Sequence, residues 1–395
     1  MSKAGRPASV AQASGSVRSV LALVHLWVGL VCCVPFVLLG VTGSILVYEK
    51  PIGDWLQPPP HASAQGKIQS VQAIIDAAAS ARTDLSPAIL TTPASQGDAA
   101  VVYLVPKRGA AISLPRSVLY QAFIDPVSLK VLDIRESVRS PFLAMMYNLH
   151  SAMLIGGRAG RAIVGWLGLG MTGLGLSGLA IWWPRAGAWR GAYGIKRGAR
   201  GWLFYRQLHG TIGITAWILF VTLSVSGVAM AFPQTASAGV RALFGRDRTA
   251  SAPPLQRSGN DSIQPAEGTA PLDADKASAL ALQAVRDTHV AVIFLPNAPG
   301  QLFRINLLHD GAAQDAPPIT ALVDPSRAQI VDVRDPWAGG TGSQVINWQR
   351  PLHTGRGTYA LYRAAIFLVG LLPPVFAVTG ASMWWIKRRQ RRRAA

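Results

Sequence analysis

Two pairs of histidines stand at repeated positions, and they are the residues of this chain most able to do chemistry. His25 and His209, the first pair, each open an apolar stretch and lie 184 residues apart. His150 and His353, the second pair, each follow a leucine ahead of a later apolar stretch. His25 and His209 lie inside apolar spans, where an ionisable side chain is costly and indicates a functional site by default, although a single such histidine could equally make a plain hydrogen bond between helices. His150 and His353 lie at the outer ends of later spans, where histidines beside loops are common without a specific role. The duplication favours a shared role for each pair.

Haem iron is the partner that would best bring two neutral imidazoles together between apolar helices. Because no Cys-x-x-Cys-His motif occurs, covalent attachment is excluded, and a b-type haem with two histidine ligands is expected. Depth separates His25 from His150, so we expect each pair to bind one iron, which gives two haems, one near each membrane face. Zinc is less favoured, because no cysteine or carboxylate recurs at ligand spacing beside the histidines.

Arginines near the second pair are candidates to bind the haem propionates through charge-assisted hydrogen bonds. The alternative for these side chains is snorkelling toward lipid headgroups. The four candidates are Arg158, Arg161, Arg356 and Arg363.

The sequence contains an internal repeat that covers most of its length, which predicts two tandem, pseudo-symmetric halves. The segment FIDPVSLKVLDIRE from Phe123 recurs as LVDPSRAQIVDVRD from Leu322. Around the histidines, the repeated residues are Gly29 and Gly213, Gly43 and Gly227, Arg161 and Arg363, Gly168 and Gly370, Gly178 and Gly380, Trp182 and Trp384, and Trp183 and Trp385.

Composition predicts a membrane protein, because 50% of the residues are hydrophobic and only 14% are charged. Four apolar runs are long enough to cross a hydrocarbon core of about 30 Å, and they span residues 21–47, 161–183, 210–232 and 362–386. Lys and Arg collect in segments 1–20, 184–209 and 387–395, which the positive-inside rule assigns to the cytoplasm. The polar segments 48–160 and 233–361 then lie on the outer side. The net charge of +19 follows from this topology and from contact with anionic lipid, so nucleic acid is not an expected partner.

Each outer segment has the same order of predicted elements, a short helix followed by several strands, so the fold class is α+β. The helices begin near Ile68 and Asp273, and Asp-Pro dipeptides at Asp125 and Asp324 predict turns between consecutive strands. We therefore expect a small helix packed on an antiparallel sheet in each segment. Residues 249–276, rich in Ser, Pro, Ala and Gly, are predicted to form a surface loop.

Two matches to G-x-G-x-x-G, beginning at Gly168 and Gly173, lie inside an apolar span with no preceding strand, so dinucleotide binding is not expected. We expect close helix contacts there instead, with Gly173 and Ser177 one turn apart. The paired tryptophans at the span ends predict an aromatic belt. The sequence contains no P-loop, H-E-x-x-H motif or Ser-His-Asp-like arrangement.

At these residues the chain resembles the PepSY-associated transmembrane family, some of whose members are inner-membrane reductases of ferric siderophores. The resemblance covers about residues 18–390 and rests on the H-x-x-x-G openings at His25 and His209, the units IDP…VLDIRE and VDP…IVDVRD, LH…GRAGR at His150, and the span ends SGLAIWWPR and TGASMWWIKR. It implies four spans, two periplasmic PepSY-like domains, haem, a bacterial inner membrane and iron uptake. The second copy departs from the first, because ten residues separate His353 from Arg363 where eleven separate His150 from Arg161.

Together these observations predict a transmembrane haem oxidoreductase, a ferric-siderophore reductase, that takes electrons from an unidentified cytoplasmic or quinol donor. The acceptor would be a ferric siderophore or a similar periplasmic compound, since reduction of Fe(III) weakens its binding by hard oxygen ligands. The alternative is a non-enzymatic PepSY membrane protein that binds or senses a periplasmic partner. A transporter is less favoured, because the copies are parallel and the spans hold almost no acidic residues.

Overall fold

The computed structural model describes residues 9–63, 65–107, 119–184, 189–245, 272–298, 300–313 and 315–394. Its helices are α1 Ser9–Val31, α2 Cys33–Val47, α3 Glu49–Leu56, α4 Val71–Ala81, α5 Pro141–Ala152, α6 Gly157–Trp182, α7 Gly201–Ala231, α8 Pro233–Phe244, α9 Ala274–Ala284, α10 Thr341–Thr354, α11 Ala360–Gly370 and α12 Leu372–Ala394. Its strands are β1 Leu85–Thr91, β2 Ala100–Pro106, β3 Tyr120–Ile124, β4 Val131–Glu136, β5 Thr288–Phe294, β6 Phe303–His309, β7 Ile319–Asp324 and β8 Gln329–Arg334. The predicted surface loop at 249–276 lies for most of its length outside the described residues.

The chain divides into two compact units. The helical unit comprises Met1–Glu49, Pro141–Gly239 and Trp348–Ala395, and the sheet unit comprises Lys50–Ser140 and Val240–Asn347. Each unit therefore draws on both copies of the sequence repeat.

Several helices of the helical unit are long and apolar enough to cross a membrane. Among the described residues these are Gly157–Trp182, Gly201–Ala231 and Ala360–Ala394, and the bent pair Val17–Val31 and Cys33–Val47 makes a fourth if it is counted as one span. The chain is therefore a multi-pass membrane protein, and each of the four predicted apolar runs falls largely within one of these segments.

The first of these segments is sharply bent, which the prediction of a single span did not include. Helices α1 and α2 meet at 67° around Cys32. Pro35, four residues after Val31, has no N–H to donate to the Val31 carbonyl, and its ring crowds that carbonyl, which is a common cause of a kink. The break between α11 and α12 at Leu371 likewise precedes two prolines, Pro373 and Pro374.

The sheet unit is built on one antiparallel sheet of eight strands, in the order β4-β3-β2-β1-β5-β6-β7-β8. Burial alternates along β2 and β7, so one face of the sheet is covered while the other is half-buried. Helices α4 and α9 pack against the strands, and each begins at a side-chain cap, since Ser70 accepts from the Ala73 N–H at 3.2 Å and Asp273 from the Lys276 N–H at 2.8 Å. Fully buried core side chains include Leu90, Leu104, Ile293, Ile305 and Leu307.

The two outer segments join at the centre of this sheet, where the sequence predicted a helix-and-sheet domain in each. Strand β1 pairs antiparallel with β5, with Leu90 opposite Ile293. The helices are also linked, because the Gln72 side chain accepts from the Ala274 N–H at 3.0 Å and the Gln72 N–H donates to Asp275 at 3.2 Å. An unpaired strand edge is a liability in a sheet, and pairing β1 with β5 removes one such edge from each four-stranded half.

The two Asp-Pro dipeptides form the turns that the sequence predicted, each with a buried carboxylate. Asp125 accepts hydrogen bonds from the Val127 N–H at 2.9 Å and the Ser63 hydroxyl at 2.5 Å, and Asp324 accepts from the N–H and hydroxyl of Ser326 at 2.8 and 2.6 Å. Burial opposes ionisation of Asp125, but the hydrogen bonds from Ser63 and the backbone outweigh it, so the pKa of Asp125 lies well below its ordinary value.

We predict that Asp125→Ala lowers the free energy of unfolding by about 1–3 kcal/mol, because the hydrogen bonds from Ser63 and the Val127 N–H to the buried carboxylate are lost. Thermal unfolding of the full chain in detergent, followed by circular dichroism, measures this effect. The control is Asp133→Ala, because Asp133 is 43% exposed and lies 3.9 Å from Arg135, a surface ion pair worth about 0–1 kcal/mol.

The same carboxylate predicts a pH dependence. Because its pKa is depressed in the folded state, it stabilises the fold above its ordinary pKa of about 3.9, and this contribution disappears as the pH falls through the lower folded value. The stability advantage of the wild type over Asp125→Asn should therefore shrink below about pH 4. An advantage that stays constant on acidification would contradict this assignment.

Candidate functional site

The first histidine pair lies within the helical unit, where α1 and α7 bring His25 and His209 together. Their ring centroids are 6.3 Å apart and their planes are 73° from parallel. Each Nδ1 is hydrogen-bonded to a hydroxyl of a different helix, His25 to Ser177 of α6 at 2.9 Å and His209 to Thr379 of α12 at 2.7 Å. Both imidazoles are half-buried. The pairing inferred from the sequence therefore has a matching arrangement in space.

The second pair lies in the same unit, with His150 on α5 and His353 on α10. Their centroids are 6.0 Å apart, with 43° between the ring planes. His150 Nδ1 lies 2.9 Å from the Leu39 carbonyl oxygen and 3.2 Å from the Thr42 hydroxyl. His353 Nδ1 has an equivalent pair of partners, the Leu223 carbonyl at 3.0 Å and the Ser226 hydroxyl at 3.2 Å.

These contacts assign the tautomer of each neutral imidazole. A carbonyl oxygen can only accept, so Nδ1 of His150 and of His353 carries the proton. At the first pair, the Ser177 hydroxyl donates to the Gly173 carbonyl at 2.6 Å and the Thr379 hydroxyl to the Val375 carbonyl at 2.8 Å. Since each hydroxyl has one proton, its oxygen accepts from the imidazole Nδ1–H. All four Nε2 atoms then carry the lone pair, which is the form of histidine that binds metals.

Each histidine also has a glycine against its Cε1 atom. A Cβ built on Gly43 would lie 2.7 Å from Cε1 of His150, and one built on Gly227 would lie 3.0 Å from Cε1 of His353. At the first pair the distances are longer, 3.3 Å from Gly178 to His25 and 4.0 Å from Gly380 to His209.

The glycines beside the second pair leave room for the contact between each imidazole and a backbone carbonyl. Gly43 follows Leu39 by four residues, and Gly227 follows Leu223 by the same spacing. A helical side chain leans over the preceding turn, so a side chain at position 43 or 227 would cover the carbonyl of Leu39 or Leu223. Because glycine has no Cβ, each carbonyl stays accessible to the imidazole that contacts it. The repeat of these glycines was visible in the sequence, but their role was not predictable from it.

The first pair borders a cavity of about 1590 Å³. Its walls come from α1, α2, α6, α7 and α12 and include Phe36, Phe220 and Phe376. Trp182, Trp183 and Trp384 also line it, whereas Trp385 does not line the cavity and is more than half exposed. Three of the four tryptophans of the predicted aromatic belt therefore belong to the cavity wall, and only Trp385 lies outside it.

The four candidate arginines differ in their surroundings. Arg363 donates to the Val47 carbonyl at 3.0 Å, and its Nε is buried without a hydrogen-bond partner in the described structure. Arg356 forms an ion pair with Glu49 at 2.8 Å. Arg158 and Arg161 are exposed on α6, so Arg161 and its repeat equivalent Arg363 have different environments.

The expected helix contact at Gly173 is wrong, because nothing lies within 4 Å of a Cβ built there. Gly168 and Gly175 of the same helix instead approach α7, where an added Cβ would come within 2.9 Å of Val228 and 2.8 Å of Val221. Ser177 does contact another helix, through the hydrogen bond to His25.

The partner hydroxyls were missed by sequence reasoning, although a signal for them exists. Thr42 and Ser226 are separated by 184 residues, the offset of the first histidine pair, and Ser177 and Thr379 by 202, the offset of Gly178 and Gly380. A search for any polar residue conserved between the two copies would have found both.

Comparison with known proteins agrees with the resemblance noted in the sequence. No curated protein matches the chain. The family described as the PepSY-associated TM region matches residues 22–387, which is nearly the whole length. The chain therefore belongs to the PepSY-associated transmembrane family.

Proposed function

We propose that the protein is a b-type haem-containing reductase of the bacterial inner membrane. It passes electrons across the membrane to a periplasmic acceptor of the ferric-siderophore class, in the service of iron uptake. The observation that carries this proposal is the meeting of four neutral imidazoles in two pairs, each with both Nε2 lone pairs free for a metal.

The separation within each pair fits a shared iron. Two imidazoles bound to one metal through bonds of about 2 Å each would have ring centres about 6 Å apart, given the size of a five-membered ring. The observed separations of 6.3 and 6.0 Å agree with this geometry.

Two imidazoles per site suit a metal whose other ligands come from a cofactor and not from the protein. Among the described residues, no group of three or more His, Cys, Asp or Glu comes together, whereas a free transition-metal ion usually takes about four protein ligands. A porphyrin supplies the four nitrogens that these sites lack. Bound haem would supply one-electron chemistry.

The chain itself orients the ligands. Ser177 and Thr379 at the first pair, and Thr42 and Ser226 at the second, hold the Nδ1 proton and thereby fix the ring orientation. Such outer partners of a ligating histidine control both its orientation and its basicity. The cavity beside the first pair provides space for a planar group.

The tandem, pseudo-symmetric arrangement is also part of this proposal. It is supported by the recurrence of histidine, hydroxyl and glycine contacts at equivalent positions of the two copies, and by the mirrored strand order of the sheet. The sheet unit would then be the joined pair of periplasmic PepSY-like domains. The basic segments at the span ends favour cytoplasmic termini.

Of the proposed propionate ligands at the second pair, Arg363 is the best supported. Its buried Nε is a cationic donor without a partner among the described residues, and such a donor is stabilised by an anion. Arg356 would have to share its charge with Glu49.

Haem binding is tested by the absorption spectrum of the purified protein. We expect a Soret band and split reduced bands, with His209→Ala and His353→Ala each removing roughly half of the absorbance because each eliminates one ligand pair. The control is His289→Ala in the sheet unit, because His289 is 52% exposed and bonded to Asp310. A colourless protein that folds normally would eliminate the reductase and leave the non-enzymatic binding or sensing role.

The electron acceptor is tested by mixing dithionite-reduced protein, freed of excess dithionite, with a ferric hydroxamate siderophore. We expect loss of the reduced bands together with Fe(II) capture by a ferrous chelator. The gallium-loaded siderophore is the matched control, since Ga(III) has similar shape and charge but is not reduced. Failure of the ferric complex to reoxidise the protein, or equal reoxidation by both complexes, would argue against the enzyme.

The glycine contacts predict unequal effects of the same substitution. Gly43→Ala should displace His150, because the new Cβ would lie 2.7 Å from its Cε1, while Gly380→Ala leaves an ordinary 4.0 Å contact with His209. Reduced-minus-oxidised spectra should show weakened ligation of one haem in Gly43→Ala and a wild-type spectrum in Gly380→Ala. Equal spectra for the two variants would contradict this role of Gly43.

A further inference from the structure

The cavity beside the first pair has one strongly basic end. Its lining includes seven Lys and Arg residues and no Asp or Glu. Near the histidines the walls are apolar and aromatic, with Phe36, Phe220 and Phe376 among them. The change from apolar wall to basic rim defines one direction along the cavity.

On α7 and on α12, one face of the helix runs from the apolar part of the cavity to its basic rim. On α7, Trp202, Arg206 and His209 follow at spacings of four and three residues, which places them on one side of the helix. On α12, Gly380 contacts His209, and Lys387 follows two turns later on the same side.

The two helical faces converge on a single indole ring. The Lys387 Nζ lies 4.8 Å from the centroid of Trp202, and the Arg206 guanidinium carbon lies 5.4 Å from it. A cation near an indole gains about 0.5–1 kcal/mol at an exposed site, but two cations beside the same ring also repel each other.

The helical unit has almost no acidic side chains that could neutralise these positive charges. Its sequence contains twenty Lys and Arg residues and a single carboxylate side chain, Glu49, which forms an ion pair with Arg356. Neither Arg206 nor Lys387 makes an ion pair within the described residues. An anion from outside the chain would therefore be stabilised between them.

We infer that Arg206 and Lys387 bind the carboxylates of the haem held by His25 and His209, an inference that rests on the proposed function. Haem carboxylates require a polar environment, because an ionised carboxylate is costly in an apolar interior. The basic rim is the charged end of this cavity, and it lies on the same helical faces as His209 and the glycine that contacts it. The haem would enter with its carboxylate edge toward this rim.

The test compares haem with its dimethyl ester, which keeps the porphyrin and removes both negative charges. Haem-depleted full-length His150→Ala protein, or His353→Ala if the first does not fold, retains only the first pair and is titrated with each porphyrin by Soret absorbance. We expect the unesterified haem to bind roughly 10- to 100-fold more tightly. Arg206→Gln and Lys387→Gln should each reduce this preference, and the double variant should abolish it.

Arg389→Gln is the matched control, because Arg389 lies over Trp385 and does not line the cavity. It should keep the full preference. Equal binding of the two porphyrins by the parent protein, with histidine ligation intact, would overturn the inference and leave the haem proposal standing. A preference that depends on anionic lipid in the bilayer, and not on Arg206 or Lys387, would also overturn it. Absence of any porphyrin binding would refute the proposed function itself.

Discussion

The hydrogen bond from each histidine Nδ1 to a neighbouring helix is the interaction on which the site depends. Each bond joins two elements of the same sequence copy, as His25 joins Ser177 and His209 joins Thr379. Each pair of imidazoles, by contrast, draws one histidine from each copy. One copy alone would therefore present two oriented but unpaired imidazoles, and only the association of the two copies produces the pairs on which the proposed haem sites depend. In an apolar bundle, where an unsatisfied N–H is costly, the hydroxyls make that orientation stable before any ligand is bound.

Much of this site could be predicted because the sequence repeats itself. An ionisable residue in an apolar span is rare, which identified His25 and His209, and the repeated Leu-His dipeptide identified His150 and His353. The partner hydroxyls were not identified, and the glycines were given no role, because serine, threonine and glycine are common in membrane helices and their contacts depend on helix rotation. Gly173, where an added Cβ would meet nothing within 4 Å, and Gly178, where it would lie 3.3 Å from His25, look alike in the sequence. Repeat equivalence did not predict equal surroundings for the arginines, since Arg161 is exposed while its equivalent Arg363 donates to the Val47 carbonyl.

In the fold, features set by a few neighbouring residues could be predicted from the sequence, whereas contacts between distant segments could not. Apolar length predicted the membrane-spanning helices, and Asp-Pro predicted the turns at Asp125 and Asp324, because these features act over a few residues. The junction of β1 with β5 was not predictable from pattern, since an alternating strand reads the same whether its edge is free or paired. The bend at Cys32 was predictable in principle from Pro35.

The two pairs differ in one respect that bears on the relative reduction potentials of the two sites in the proposed reductase. At the first pair each Nδ1–H donates to a hydroxyl, whereas at the second pair it also meets a backbone carbonyl. A stronger acceptor on Nδ1–H makes the imidazole a more basic ligand, so a haem held by the second pair would be stabilised in its oxidised form and would be the stronger reductant. Hard oxygen ligands stabilise Fe(III) in a siderophore, so its reduction requires a strong reductant. The carbonyls of Leu39 and Leu223, exposed by Gly43 and Gly227, would thus adapt the second pair to such an acceptor.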